Sequence, residues 1–258
     1  EAGAAVVHLH SRNVETGLGN TDQAAFEEIT DRIRQSSVDV IINLTCGGKA
    51  FFFPIAEDEG RAGPGSDLGT PEERYAHIEA CLPDIASLDI TTSNQIDSGQ
   101  EHVYLNTTRT LRALAKRFKE LGVKPELEVF EAGDIGFAAQ LIEEELIEGN
   151  PLIQMVLGVK WNAPTTPETL KYFRDLLPEH STWGALGTGR DQFPVAAQSI
   201  LLGGNIRVGL EDNLYLRKGV FATNEDLVDR AKTLIDILGH DVASANDARQ
   251  IIGIKAAS

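Results

Sequence analysis

Short, nearly continuous apolar runs alternate with amphipathic helical stretches along the whole 258-residue chain. This rhythm constrains the fold more than any other feature. Strands that are apolar on both faces belong in a parallel sheet covered by helices. The strand candidates are Ala4–His10, Val38–Thr45, Ile85–Thr91, Pro125–Phe130, Leu152–Val159, Thr182–Leu186 and Ile206–Leu210. Helices are predicted near 22–36, 71–82, 107–122, 134–148, 167–178, 192–203, 224–238 and 245–252. Thr70-Pro71-Glu72-Glu73 and Thr166-Pro167-Glu168 mark two starts, each with a capping hydroxyl before a proline at the first helical position. No linker or low-complexity tract interrupts the pattern. The segment from Gly47 to Gly69 reads as a long irregular loop, a length that usually serves function.

The expected fold class is therefore α/β, a (β/α)8 TIM barrel in one domain over residues 1–258. Only seven βα units are visible where a barrel closes with eight. Glu1-Ala2-Gly3-Ala4 also reads like the end of a helix. The first βα unit is accordingly expected upstream of this sequence. An open doubly wound sheet is the alternative, but no GxGxxG follows the first strand.

Charge and cysteine content narrow the partners. A formal net charge of −16 repels phosphates, which argues against nucleic acid and anionic membranes. The two cysteines, Cys46 and Cys81, form neither a disulfide framework nor a CxxC pair, so a cytoplasmic location is expected. No run is apolar for long enough to span a bilayer.

Chemistry concentrates at strand ends. His8-Leu9-His10 places two imidazoles on one side of a strand, at a spacing that one metal ion can bridge. Two hydrogen-bonded histidines would show the same spacing. In Ile206-Arg207-Val208-Gly209-Leu210-Glu211-Asp212-Asn213, an arginine and two acids lie where a barrel carries its active site. Read as a strand, the segment puts Arg207, Gly209 and Glu211 on one face. His8, His10 and Glu211 would leave zinc, or another divalent ion, an open position. A purely structural arginine–carboxylate pair is the alternative. Thr45, Gly47 and Gly48 suit an anion through a hydroxyl and accessible amides, although a plain βα turn has the same composition. Cys46 reads as a small apolar filler. Glu128 sits within an apolar strand, where an acid is costly unless partnered; Glu126 is open to a simpler account, exposure at the strand's start. Gly187-Thr188-Gly189-Arg190-Asp191-Gln192 suits a phosphate or carboxylate at a helix start.

Together the segments VVHLHSRN, VIINLTCGG, PDIASLDI, KPELEVFEAG, QMVLGV, WGALGTGRDQFP and GGNIRVGLEDNLYLRKG, with the tail from Asn224 to Gly253, resemble the β-keto acid cleavage enzyme family in order and across the chain. The resemblance implies a zinc-dependent TIM barrel, forming a homotetramer. It implies a transferase that condenses a β-keto acid with acetyl-CoA, giving acetoacetate and a new acyl-CoA. On this implied reading His8, His10 and Glu211 hold the metal. Asp212 is the acid/base group, Arg207 its partner and Glu128 an active-site glutamate. Thr45 and Gly48, with Gly47 between them, and Ser87 fall where the substrate carboxylate is held. Lys160 and Arg190 are candidates for contacts to CoA or to a carboxylate. A metal-dependent hydrolase that activates water without CoA is the alternative. The sequence departs from the family in its long segment after Gly48, and in Val159-Lys160-Trp161-Asn162, which replaces a glycine-rich turn.

Overall fold

Buried β-branched and aliphatic runs form the strands of a seven-stranded sheet. The computed structural model describes residues 1–97 and 99–254. The first half of the described chain contains β1 (Val6–Leu9), α1 (Gln23–Gln35), β2 (Ile41–Thr45), β3 (Phe51–Phe52), β4 (Pro54–Ile55), β5 (Asp58–Ala62), α2 (Pro71–Cys81), β6 (Ile85–Asp89), β7 (Ser93–Asp97), β8 (Gln100–Tyr104) and α3 (Thr108–Leu121). The second half adds β9 (Lys124–Val129), α4 (Ala132–Glu143), β10 (Leu152–Leu157), α5 (Pro167–Leu176), β11 (Thr182–Gly187), α6 (Gln192–Leu201), β12 (Asn205–Ile206), β13 (Tyr215–Arg217), β14 (Val220–Phe221), α7 (Asn224–Ile237) and α8 (Ala245–Ile252). The sheet order is β1-β2-β6-β9-β10-β11-β12, and the pairs β1–β2, β2–β6, β10–β11 and β11–β12 are parallel.

The chain divides into two compact units. One comprises residues 6–127 and 141–148. Its core packs Ile41 and Leu44 of β2, Ile85 and Leu88 of β6 and Leu127 of β9 with Phe26, Ile78, Leu114 and Phe118 from the helices, all essentially without solvent access. The predicted start of α2 is a capping box, in which the Thr70 hydroxyl accepts from the Glu73 amide and the Glu73 carboxylate accepts from the Thr70 amide. The other unit comprises residues 1–5, 128–140 and 149 onward. There Phe130, Val156 and Leu186 form one cluster. Phe193, Leu227 and Ala231 form another, joined by Ile206, Val208 and Leu210.

Three sequence expectations need correction. The segment from Gly47 to Gly69 is not irregular: it holds β3, β4 and β5. β3 pairs with β8 (Phe51↔Tyr104), and β8 pairs with β7 in a hairpin that the apolar pattern does not mark. Two-residue strands and the fully exposed β5 carry no periodic signal; β4 and β5 pair locally with each other, whereas the partner of β3 lies far away in sequence. The strand predicted over Ile206–Leu210 is only Asn205–Ile206. Val208 and Leu210 pack against the Phe193–Leu227 cluster as part of a turn, so strand parity does not govern Arg207, Gly209 and Glu211. Finally, α4 begins at Ala132 and ends at Glu143, with Glu145 left-handed at φ 58°, whereas 134–148 was expected. Phe118→Ala removes a fully buried ring from the first unit. Its expected cost is about 3–5 kcal/mol in the free energy of unfolding, read by chemical denaturation.

Candidate active site

The first unit carries a row of polar side chains on strands that are otherwise apolar. His8 on β1 is register partner to Asn43 on β2, and Thr45 on β2 to Ser87 on β6. Asn43 donates to a Glu126 carboxylate oxygen on β9 at 2.6 Å, reaching across β6. Asn43 and Glu126 are therefore on one face, and both are buried. This corrects the reading of Glu126 as an exposed strand start. A Glu126 oxygen also lies within 4.8 Å of a His8 ring nitrogen. Ser87 is 1% exposed, and its hydroxyl has no partner among the described residues. A buried polar group without a partner is expensive, so a ligand that reaches it gains that cost back.

His8 and His10 turn their Nε2 atoms toward each other at 3.0 Å, with ring centroids 5.0 Å apart. Tetrahedral zinc, with Zn–N near 2.0–2.1 Å, sets two imidazole nitrogens roughly 3.3 Å apart. The pair thus fits a shared metal ion, as it also fits a direct hydrogen bond.

The turn that follows β2 is held on three successive carbonyls. His77 Nε2 lies 2.7 Å from the Thr45 oxygen. Arg74 donates to the Cys46 oxygen at 3.0 Å and to Asn106 Oδ1 at 2.7 Å. The Tyr104 hydroxyl lies 2.8 Å from the Gly47 oxygen and 2.7 Å from Asp89 Oδ2. The Thr45 hydroxyl accepts from the Gly47 amide at 3.2 Å. Burial lowers the pKa of His77, which stacks on Phe26 at 4.3 Å between ring centroids, so the neutral Nε2–H tautomer donates to the carbonyl. Burial pushes the Cys46 thiol up to about 12, as suits an inert core filler.

In the second unit one guanidinium faces three acids. Arg207 Nη1 lies 2.8 Å from Glu128, Nη2 2.9 Å from Glu211 and Nε 3.4 Å from Asp212. The Arg207, Glu128 and Asp212 side chains are nearly buried, whereas that of Glu211 is 38% exposed. Of the three acids Glu211 is the most exposed, and so the most accessible to a ligand. The turn carrying Glu211 and Asp212 is pinned from outside it. Gly189 N–H donates to the Asp212 oxygen at 2.7 Å. Gln192, fully buried, donates to the Gly209 oxygen at 3.1 Å, and the Leu210 amide donates to Asn224 Oδ1 at 2.9 Å. Sequence reasoning missed Gln192 and Asn224 as supports. Their only signal was position, at the starts of α6 and α7.

Lys160 and Arg190 stand apart from this cluster. Lys160 is exposed and its ammonium sits 4.8 Å over the Trp161 ring. Trp161 holds φ 71°, a left-handed conformation that favours glycine. Arg190 is 95% exposed and its nearest acid is Asp191 at 3.9 Å. Asp191 accepts from the Thr165 hydroxyl and places a negative charge at the start of α6, which disfavours a phosphate there.

A profile of the beta-keto acid cleavage enzyme family matches residues 1–254, and the chain belongs to this family. It is 40% identical over 258 positions to 3-dehydrocarnitine:acetyl-CoA trimethylamine transferase of Rhizobium meliloti, covering 97% of this chain and 83% of that one. It is 35% identical to 3-keto-5-aminohexanoate cleavage enzyme of Fusobacterium nucleatum, covering 99% and 85%. With 3-oxoadipate:acetyl-CoA acetyltransferase of Cupriavidus necator it shares 33% identity, covering 98% and 82%. The solved apo structure of ObcA superposes with a TM-score of 0.76 at 20% identity, over 99% of this chain and 62% of ObcA, a likeness of fold.

Two outcomes follow from this geometry. Arg207→Met removes the guanidinium that pairs with the nearly buried Glu128 and Asp212 and should destabilise the apoprotein by about 3–5 kcal/mol, measured by denaturant titration. A histidine held neutral by burial is stabilising above its unfolded pKa, and that stability is lost as pH falls through about 6.5 toward the depressed folded value. Thermal melts of His77→Gln, which keeps a donor but does not titrate, should therefore lose less stability than wild type between pH 7 and pH 5.

Proposed function

We propose that the protein catalyses acetyl-CoA-dependent cleavage of a β-keto acid, yielding acetoacetate and an acyl-CoA. The observation that carries this reading is the arrangement of Arg207, Glu128, Glu211 and Asp212, an acid cluster with one cation at its centre, in a chain of this family. The acetyl-CoA named for relatives at 40% and 33% identity supports the co-substrate. The same reading takes the fold as a TIM barrel, the assembly as a homotetramer and the location as cytoplasmic.

His8, His10 and Glu211 are the proposed metal ligands. Two imidazoles and a carboxylate favour zinc over magnesium. The bound ion would supply Lewis acidity toward the substrate's keto oxygen. Thr45, Gly48 and Ser87 would hold the carboxylate, the last through its buried hydroxyl. Asp212 takes a proton from the carbon between ketone and carboxylate. Arg207 keeps Asp212 ionised and oriented, and Glu128 fixes the guanidinium. The deprotonated carbon attacks the acetyl thioester carbon and CoA thiolate leaves. The thiolate then adds to the substrate's original ketone. Cleavage of the adjacent carbon–carbon bond gives the acyl-CoA, and Asp212 returns its proton to the acetoacetate carbon.

A panel of β-keto acids, assayed with and without acetyl-CoA on protein of known metal content, tests the proposal. Acetoacetate should form only when acetyl-CoA is present. Turnover that ignores acetyl-CoA would point to the hydrolase. Asp212→Asn should lower kcat by at least about 100-fold with metal content unchanged. His10→Ala should weaken metal retention in a chelator competition.

A further inference from the structure

Three consecutive carbonyl oxygens, those of Thr45, Cys46 and Gly47, are each engaged by a buried side chain from another element: His77 and Arg74 of α2, and Tyr104 of β8. All of these groups belong to the same compact unit. The turn is buried, so its carbonyls must be paired, and here side chains from other elements pair all three. In a trans peptide the next amide N–H points opposite to the carbonyl. Holding the three carbonyls therefore fixes the direction of the amides that follow them, one of which, Gly47 N–H, donates to the Thr45 hydroxyl at 3.2 Å. The turn is also fixed by space. A Cβ on Gly47 would come within 2.9 Å of both Asp89 Oδ2 and the Tyr104 hydroxyl, and one on Gly48 within 2.4 Å of Thr21 Cγ2. Side chains, not the turn's own sequence, thus decide which way its amides face.

We infer that His77, Arg74 and Tyr104 are positioning residues that aim the Thr45–Gly48 turn at the carboxylate of the β-keto acid. None need touch substrate. The inference rests on the proposed role of that turn in holding the carboxylate. It predicts a defect confined to recognition of the carboxylate, because the metal ligands lie elsewhere in the chain. Arg74 suits this task through its fixed donor fork, which bridges Cys46 and Asn106. Tyr104 links the turn to β8, and so makes the hairpin of β7 and β8 part of the site's support.

The test uses metal-loaded, full-length protein and two probes, acetoacetate and its methyl ester, which lacks the carboxylate charge and carries one added methyl group. Binding is read by calorimetry, alongside metal content and thermal midpoint. Wild type should prefer the acid, and Thr45→Val should reduce that preference. Tyr104→Phe and His77→Leu should each weaken acetoacetate binding about tenfold, the effect of losing roughly one hydrogen bond's worth of alignment, while ester binding stays constant. His77→Gln, which keeps a donor, should restore most of the loss. If Thr45→Val abolishes the preference while folded Tyr104→Phe and His77→Leu proteins keep it intact, the positioning role is overturned and the carboxylate-binding turn stands. If wild type binds acid and ester alike, the carboxylate-binding reading falls, and the inference with it.

Discussion

Arg207 sets the terms for the second unit. Its guanidinium spreads one positive charge over Glu128, Glu211 and Asp212, two of them nearly buried. Taking such charges out of water is costly, so the geometry of these ion pairs has to be held closely. The turn that bears the acids is accordingly fastened from several sides, by the Gly189 amide, by Gln192 and by Asn224. The local excess of acid also sits within a chain that is acidic throughout, at −16, so an anionic co-substrate must rely on local donors rather than on the overall field.

The first unit solves a different problem, that of placing polar groups on buried strands. Asn43 and Glu126 satisfy each other across an intervening strand, and His8 stands in register with Asn43. Ser87 is left with a buried hydroxyl and no partner among the described residues. Beside this row, the turn after Thr45 is held by its carbonyls. On the proposed reading, groups that do not touch substrate govern those that do, a division between contact and support that recurs at preorganised sites.

Much of this was legible from particular residues. The continuous apolar runs around Ile41–Leu44, Ile85–Leu88 and Leu152–Leu157 are central strands because both of their faces are buried, and burial on both faces leaves a run without polar alternation. Thr70-Pro71 and Thr166-Pro167 start helices because a capping hydroxyl and a fixed φ act within a single turn. The groupings of polar side chains were also visible: His8 with His10, and Arg207 with Glu211 and Asp212. The reason offered for the second group was wrong in part. A turn after Asn205–Ile206, and not strand parity, gathers those side chains. The hairpin from Ser93 to Tyr104 escaped notice because its pairing with Phe51 spans some fifty residues and leaves no local period.

By itself the sequence determined the order of the seven strands of the main sheet and of the helices, the caps at Thr70 and Thr166, and which acids, imidazoles and glycines are available near strand ends. Those properties depend on neighbours within one or two turns. The tertiary structure alone decided that Glu126 is buried on Asn43, that Arg207 divides its fork among three carboxylates, and that His77, Arg74 and Tyr104 close on the carbonyls of the Thr45–Gly48 turn. Most of those contacts join groups 28 to 83 residues apart, and the fork of Arg207 depends on how one turn packs; their energies depend on burial, which exists only once the chain has folded.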